Sequence, residues 1–387
     1  MNGKGYMSYD LKYLNRQAVY EFISSRGEVP FSCSDIAQKT LLSVPTVTKI
    51  TEFFLSRELL SEVDHVPVST VGRPPVLFQF NPGAGIAAGC SYDGSHLDIK
   101  LIDLWRRVRI SRRFAVEDLI GLFREELPKA LRAVLEDSGM EPSRLMGIGL
   151  ALPVILDSTN LCTDFPAPRI GLETAFDFEP YCRELAEKMG CPVFLENDVN
   201  AAALGEFQNS TVKDLIYIIV GSGVGSGIIL DGKLRSGPHA AAGEIGYMRF
   251  DPHERSGSSL EGYVEKRLSA EHIEEMLDCK FFGDDARPST INRVRAAEFV
   301  SDYLAMCVQN MSVCLDVGYF VLGGYVIDAL QDLVIPLTEE KAGRYCLNPV
   351  KVVYETMPFA ASYGVGAIAL EKTLPILLGD SPLDTNE

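Results

Sequence analysis

Residues 194–205 read Phe-Leu-Glu-Asn-Asp-Val-Asn-Ala-Ala-Ala-Leu-Gly. The apolar run Val193-Phe194-Leu195 suits a strand, and the alanine-rich run from Ala201 to Phe207 suits a helix. Between them stand Asn197 and Asp198, two short acceptors where a strand hands over to a helix. Such side chains cap helices, because they reach the unpaired N–H groups of the first turn. They also suit hydroxyl ligands, because a carboxylate accepts several hydrogen bonds in a dry cleft. This stretch alone leaves both readings open.

Outward from it the pattern alternates. Leu215 to Val220 and Ser226 to Leu230 form a hairpin around Gly221-Ser222-Gly223-Val224-Gly225-Ser226-Gly227. The glycines let backbone N–H groups approach a phosphate, although an ordinary glycine hairpin reads the same. Gly323-Gly324 follows the apolar run Tyr319-Phe320-Val321-Leu322. On the other side, Ile86 to Cys90 and Leu97 to Asp103 read as strands, residues 117–138 as helical, Leu145 to Pro153 as a buried strand and Tyr181 to Met189 as a helix. Alternating strands and helices imply an α/β body. Glycine-centred hairpins at 89–97 and 221–228 suggest a duplicated lobe.

The first 80 residues read differently. Leu11, Leu14, Ala18, Val19, Phe22 and Ile23 recur at helical spacing. Ser32 or Ser34 can cap a second helix, and Ser43 a third with Pro45 early in it. The third helix turns Val47, Ile50 and Phe54 inward and offers Val44, Pro45, Thr46, Thr48 and Lys49 outward. This is helix-turn-helix spacing, with the third helix suited to a major groove. Residues 59–80 read as two strands around Gly72-Arg73-Pro74-Pro75, a wing whose Arg73 suits a minor groove. A small protein-binding module would share the three helices.

Composition bounds the function. At 387 residues the chain is too long for one core. No run of about 18 uncharged apolar residues suggests a membrane span, and the N-terminus lacks the apolar segment of a secretion signal. Nine scattered cysteines without a Cys-x-x-Cys pair point to a reducing cytoplasm. The net charge is −17, yet residues 1–80 carry 8 basic and 8 acidic side chains. The acidic body keeps off a phosphate backbone and leaves contact to the neutral end.

These motifs together resemble the ROK family of repressors and sugar kinases, above all its xylose- and N-acetylglucosamine-type repressors. The resemblance rests on Leu41 to Ile50, Gly72-Arg73-Pro74-Pro75, Gly147-Ile148-Gly149, Glu196-Asn197-Asp198, Gly221 to Gly227, Gly243-Glu244-Ile245-Gly246, Leu260-Glu261 and Leu322-Gly323-Gly324, in that order. It implies an N-terminal winged helix-turn-helix followed by a two-lobed actin/hexokinase-like (ribonuclease H-like) ATPase fold. The expected units are residues 1–80, a first lobe at 81–205 with a C-terminal helix at about 366–378, and a second lobe at 206–365. It implies Asn197, Asp198, Glu244, Tyr247 and Glu261 as sugar ligands, with Asp198 at the place of the kinase base. Gly221, Gly223, Gly225, Gly227, Gly323 and Gly324 stand where the family binds nucleotide.

Three departures from the family pattern stand out, and the first two count against catalysis. Where the family reads Asp-x-Gly-Gly-Thr, this chain reads Ser91-Tyr92-Asp93-Gly94-Ser95, which removes one carboxylate and sets another beside a would-be triphosphate. Like charges that close cost roughly 1–4 kcal/mol near a surface. The family's zinc-binding His is Tyr247, and residues 250–261 hold no cysteine, so neither a metal nor a cofactor is expected. The Pro-Gly turn usual after Gly-Ile-Gly is Pro153-Val154. The expectation is a cytoplasmic, sugar-responsive DNA-binding regulator, a homodimer or homotetramer on a DNA operator, with no enzymatic activity. An active sugar kinase with a winged-helix appendage, or a regulator that has lost its ligand, are the alternatives.

Overall fold

The computed structural model describes residues 8–63, 76–116, 118–221, 223–251, 253, 262–283 and 286–379. Three helices open it: α1 (Ser8–Ser25), α2 (Cys33–Thr40) and α3 (Val44–Ser56). Ser32 and Asp35 form a capping box at α2, in which the Ser32 N–H donates to Asp35 at 2.8 Å and the Asp35 N–H to the Ser32 hydroxyl at 3.2 Å. Ser43 caps α3, with Pro45 in the first turn, where a missing N–H costs nothing. Val47, Ile50 and Phe54 face the core. Strands β1 (Leu60–Val63) and β2 (Leu77–Phe80) pair antiparallel, and Phe31 exchanges two backbone bonds with Phe78 at 2.9 and 2.8 Å. Three helices and a two-stranded antiparallel sheet are the elements expected of a winged helix; residues 64–75, with Arg73, lie outside the described residues. The apolar stripe expected on α1 is split. Val19 and Ile23 are buried, while Leu11 and Leu14 face solvent because neither lies over the hairpin or α3.

The body holds two five-stranded sheets of like topology. In the first, β3 (Ile86–Tyr92), β4 (His96–Asp103) and β5 (Val108–Ala115) form an antiparallel meander. The chain then runs through α4 (Leu119–Gly121), a π-turn at Leu122–Glu126 and α5 (Leu127–Ser138). Pro128, in the first turn of α5, has no N–H and so cannot make the regular helical bond back into the preceding turn. Strand β6 (Leu145–Leu152), the small hairpin of β7 (Cys162–Thr163) and β8 (Phe176–Asp177), helix α6 (Glu179–Met189) and β9 (Val193–Asn197) follow. The strand order is β5-β4-β3-β6-β9, with β6 parallel to both β3 and β9.

After α7 (Asp198–Gln208) the second lobe repeats the plan. Its elements are β10 (Leu215–Val220), β11 (Val224–Leu230), β12 (Lys233–Leu234), α8 (Tyr263–Leu268), α9 (Ala270–Leu277), α10 (Thr290–Leu315), β13 (Tyr319–Gly323), α11 (Tyr325–Asp328), α12 (Gln331–Gly343) and β14 (Lys351–Tyr354). The order β12-β11-β10-β13-β14 matches the first sheet strand for strand, antiparallel at one side and parallel at the other.

Helix α13 (Ala360–Leu377) then packs on β3 and β6 and against α7, which lies on β10 and β11. It begins six residues before the expected 366. Three contacts from buried Lys100 fix the chain reversal there, donating to the carbonyls of Pro358 and Phe359 at 2.9 Å each and to the Ser362 hydroxyl at 3.0 Å. Glycines let α7 and α13 touch, since a Cβ on Gly364 would run into the Ala201 carbonyl. One side of α13 packs against the N-terminal helices and hairpin. Tyr363, Ala367 and Leu370 share a core with Val19, Phe54 and Phe80. Trp105 Nε1 donates to the Ser24 carbonyl at 3.0 Å, and Arg16 to the Leu378 carbonyl at 2.9 Å.

Candidate functional site

The end of β9 and the start of α7 set up the Asn-Asp corner. Asn197 is the N-cap of α7, accepting the Asn200 N–H at 2.9 Å. Its Nδ2 also donates to the Val154 carbonyl at 2.9 Å, which ties the loop after β6 to the corner. Buried Glu196 accepts the Asn197 N–H at 2.9 Å and Asn200 Nδ2 at 3.2 Å, locking the turn from behind. Both polar atoms of the Asn197 side chain are therefore engaged within the protein, and the Asp198 carboxylate sits at the helix N-terminus, where its Oδ1 accepts the Val199 N–H at 2.9 Å and the dipole favours its charge.

Glu244 comes to the same place from the second lobe. The loop before it is clamped to β11, with the Gly243 carbonyl accepting the Ser226 N–H at 2.8 Å and hydroxyl at 2.9 Å. Gly243 has φ +96, and a Cβ there would strike the Ser226 carbonyl, so only glycine fits. Burial, then the neighbouring charges of Glu265 and Asp198, push the Glu244 carboxyl up to about 7. Burial likewise raises Asp198, with Arg169 pulling it down and Asp93 pushing it up. These side chains gather about one charged site: Asp198 interacts with Arg169 and Asp93, and Glu244 with Glu265 and Asp198. Tyr247 borders it, 46% exposed, and senses Glu265 and Glu244. Glu261 lies outside the described residues. Arg169 and Glu265 carry no motif in sequence; they arrive by folding, Arg169 on a loop whose backbone presses on the turn at Gly94.

The first hairpin turn is closed on itself. Asp93 Oδ1 accepts the Ser95 N–H and hydroxyl at 2.9 Å each and the His96 N–H at 2.7 Å, and Arg113 lies 3.2 Å from the other oxygen. Burial would raise this carboxyl; the bonds from Ser95 and His96 outweigh it and hold the group below the ordinary range. Its own carboxylate takes up the donors of the turn. On the second loop, the Gly221 N–H is bonded to the Gly223 carbonyl at 2.9 Å. The Tyr325 ring lies against Gly221, and the Glu265 carboxylate lies 2.7 Å from where a Gly223 Cβ would stand. Gly225 and Gly227 make room for Val199 and Ala203 of α7, and Gly323 for the Tyr217–Glu355 hydrogen bond. Gly324, at φ +94, opens α11. Each glycine therefore has a packing reason to be glycine.

Among the described residues no group of His, Cys, Asp and Glu could hold a metal ion; His253 is exposed, and its backbone N–H is bonded to Asp251.

On α3, Val44, Pro45, Thr48 and Lys49 are exposed. Thr46 is not fully offered: it is half-buried, and its hydroxyl pairs with that of Ser43 at 2.8 Å within the helix cap. Leu41, in the turn before α3, is missing from the sequence-based set. It is 91% exposed at φ 59, a left-handed geometry that costs leucine roughly 1–2 kcal/mol.

The profile of the ROK family matches residues 93–371. The xylose repressor of Bacillus spizizenii is 24% identical over 365 residues, covering 90% of this chain and 93% of that protein. A ROK family transcriptional regulator, homolog of the E. coli MLC protein, superposes with a TM-score of 0.73 at 20% identity, over 95% of this chain and 99% of that one. The ROK hexokinase from Thermus thermophilus superposes at 0.60 and 21% identity, over 75% of this chain and 99% of its own.

Proposed function

The chain belongs to the ROK family, and from that premise we propose that it is a transcriptional repressor that binds DNA through α3 and its wing, binds a sugar in the Asn197–Asp198–Glu244 cleft, and transfers no phosphate. The observation that carries the last point is Asp93 bonded into its own turn, where it takes up the donors of the first phosphate loop. Glu265 beside Gly223 adds a second negative charge on the nucleotide side. Sugar binding remains chemically sound. Asp198 and Glu244 offer carboxylate oxygens to hydroxyls, and Tyr247 offers a ring face and one donor. A ligand acts on DNA binding only through unequal affinity for two conformations, here two settings of the lobes and the winged helices they carry. Operators of such proteins have two half-sites matched to a symmetric dimer or tetramer in the cytoplasm.

A second reading, an active sugar kinase, is favoured by the raised carboxyl of Asp198, which suits a general base. One experiment separates them. The purified chain is titrated against DNA from its own promoter and against random DNA, with and without candidate sugars, and the same preparation is assayed for ATP consumption. Promoter preference that a sugar weakens, without ATP turnover, is the expected result; turnover lost in Asp198→Asn would establish the kinase instead.

A further inference from the structure

A cavity of about 630 Å³ opens between the loop 155–165 of the first lobe and the turn 236–240 of the second, within the size range of ligand pockets. Both walls lead along the chain into the sugar corner. Ile155 follows Val154, whose carbonyl accepts from Asn197, and Ala240 precedes Glu244 by four residues. Among the described residues that line it there is no lysine or arginine. Phe165 stands in its wall 44% exposed, an aromatic face left open to solvent. Around it are the hydroxyls of Ser158 and Ser236, the carboxylate of Asp164 and the imidazole of His239. Asp157 is already spent, since it accepts the N–H groups of Thr159 and Asn160 at 3.0 Å each and Asn160 Nδ2 at 2.7 Å, and so shapes the loop.

We propose that this cavity is a second saccharide subsite: the effector is an uncharged glycoside of at least two rings, one in the Asn197–Asp198–Glu244 corner and the next against Phe165. An open aromatic face flanked by hydroxyls and a carboxylate matches the apolar face and hydroxyl rim of a sugar ring. An anionic unit, such as a sugar phosphate, meets no cation there and faces Asp164. The proposal rests on the sugar-binding reading above and goes further, because it sets the length and charge of the ligand.

The test is calorimetric titration of the full chain with xylose, glucose and N-acetylglucosamine, with their β-1,4-linked disaccharides, and with glucose 6-phosphate. We expect at least one disaccharide to bind tenfold or more tightly than its monosaccharide, and the phosphate to bind no better than glucose. Phe165→Ala removes the disaccharide advantage while leaving the monosaccharide constant within twofold; Asp164→Asn, an exposed isosteric change, serves as the second variant. Equal binding of one and two rings, or a Phe165→Ala loss shared by both, overturns the subsite and leaves the regulator reading intact. Absence of binding by every saccharide overturns the subsite and the sugar corner together, and promoter preference measured in parallel shows whether DNA regulation survives that result.

Discussion

Asp93 Oδ1 accepts the backbone N–H of His96 at 2.7 Å, three residues along the same turn. The sequence alone presents Asp93 as a charge that would repel a phosphate. The structure adds that this carboxylate takes up the N–H groups of its own turn. Two expectations follow. Mg-ATP up to millimolar concentration gives the wild-type chain no thermal shift, because a ligand that binds the native state must raise its stability. Asp93→Gly frees the N–H groups of Ser95 and His96, so inorganic phosphate then stabilises the variant, after a cost of about 1 kcal/mol for the lost turn bonds. A clear ATP shift in the wild type would count against a closed loop.

Glu244 predicts a pH dependence of ligand binding. Its carboxyl titrates at about 7 in the folded chain, raised by burial and by Glu265 and Asp198. As a carboxylate it accepts two hydroxyl bonds; protonated, it loses acceptor capacity. Sugar affinity should therefore rise as pH climbs from 6 to 8, and Glu244→Gln should bind weakly and flatly across that range. For folding the sign is opposite: an acid whose folded value is raised holds its proton longer in the native state, so its contribution to stability is full below the unfolded value and declines as pH rises through 7. Titration calorimetry of wild type and Glu244→Gln at three pH values checks the first, and thermal melts the second.

Much of this site was legible from residues. Ordered glycine motifs indicate the two-lobed body, because the hairpin loops and the close contacts of α7 need glycine. Ser32, Ser43 and Pro45 mark the helix starts. What stayed hidden depends on residues far apart in the chain. Arg169 and Glu265 belong to no motif and reach the cleft only through the packing of their loop and helix. Thr46 looks free in sequence, yet its hydroxyl closes on Ser43. The Phe165 cavity arises where two irregular segments from different lobes face each other, and no periodicity reports that.

The close packing of α7 on α13 predicts a stability effect unrelated to ligand. A Cβ on Gly364 would run into the Ala201 carbonyl and come within 2.8 Å of the Gly205 nitrogen, both backbone atoms of α7. Backbone cannot yield as a side chain can, so Gly364→Ala should cost roughly 1–3 kcal/mol from overpacking. Denaturant melts give the value. Unchanged stability would mean that the two helices are not in the contact described.

Lys49 tests the DNA face. It is exposed on α3 next to Thr48, and lysines in that position meet phosphates and carry little sequence information. Lys49→Ala should weaken specific and random DNA alike and lower the slope of log affinity against log salt by about 1. Thr48→Val should instead narrow the ratio between operator and random DNA. A Lys49→Ala variant with an unchanged salt slope would move the interface elsewhere.

Arg16 tests whether the body speaks to the winged helix. Its guanidinium stacks on Phe53 of the third helix at 3.6 Å and donates to the Leu378 carbonyl at the end of α13, 2.9 Å away. That side chain joins α3 to the end of α13, the helix that packs against α7. If the lobes move when a sugar binds, α13 carries the motion to this contact. Arg16→Ala should then leave operator affinity without sugar within a few-fold of wild type, while shrinking the ratio of affinities with and without sugar, which is the coupling free energy between the sites. Arg16→Lys keeps the charge but not the planar stack, and should recover only part of the ratio. Equal losses of affinity in both states would show that Arg16 supports the winged helix without transmitting the signal.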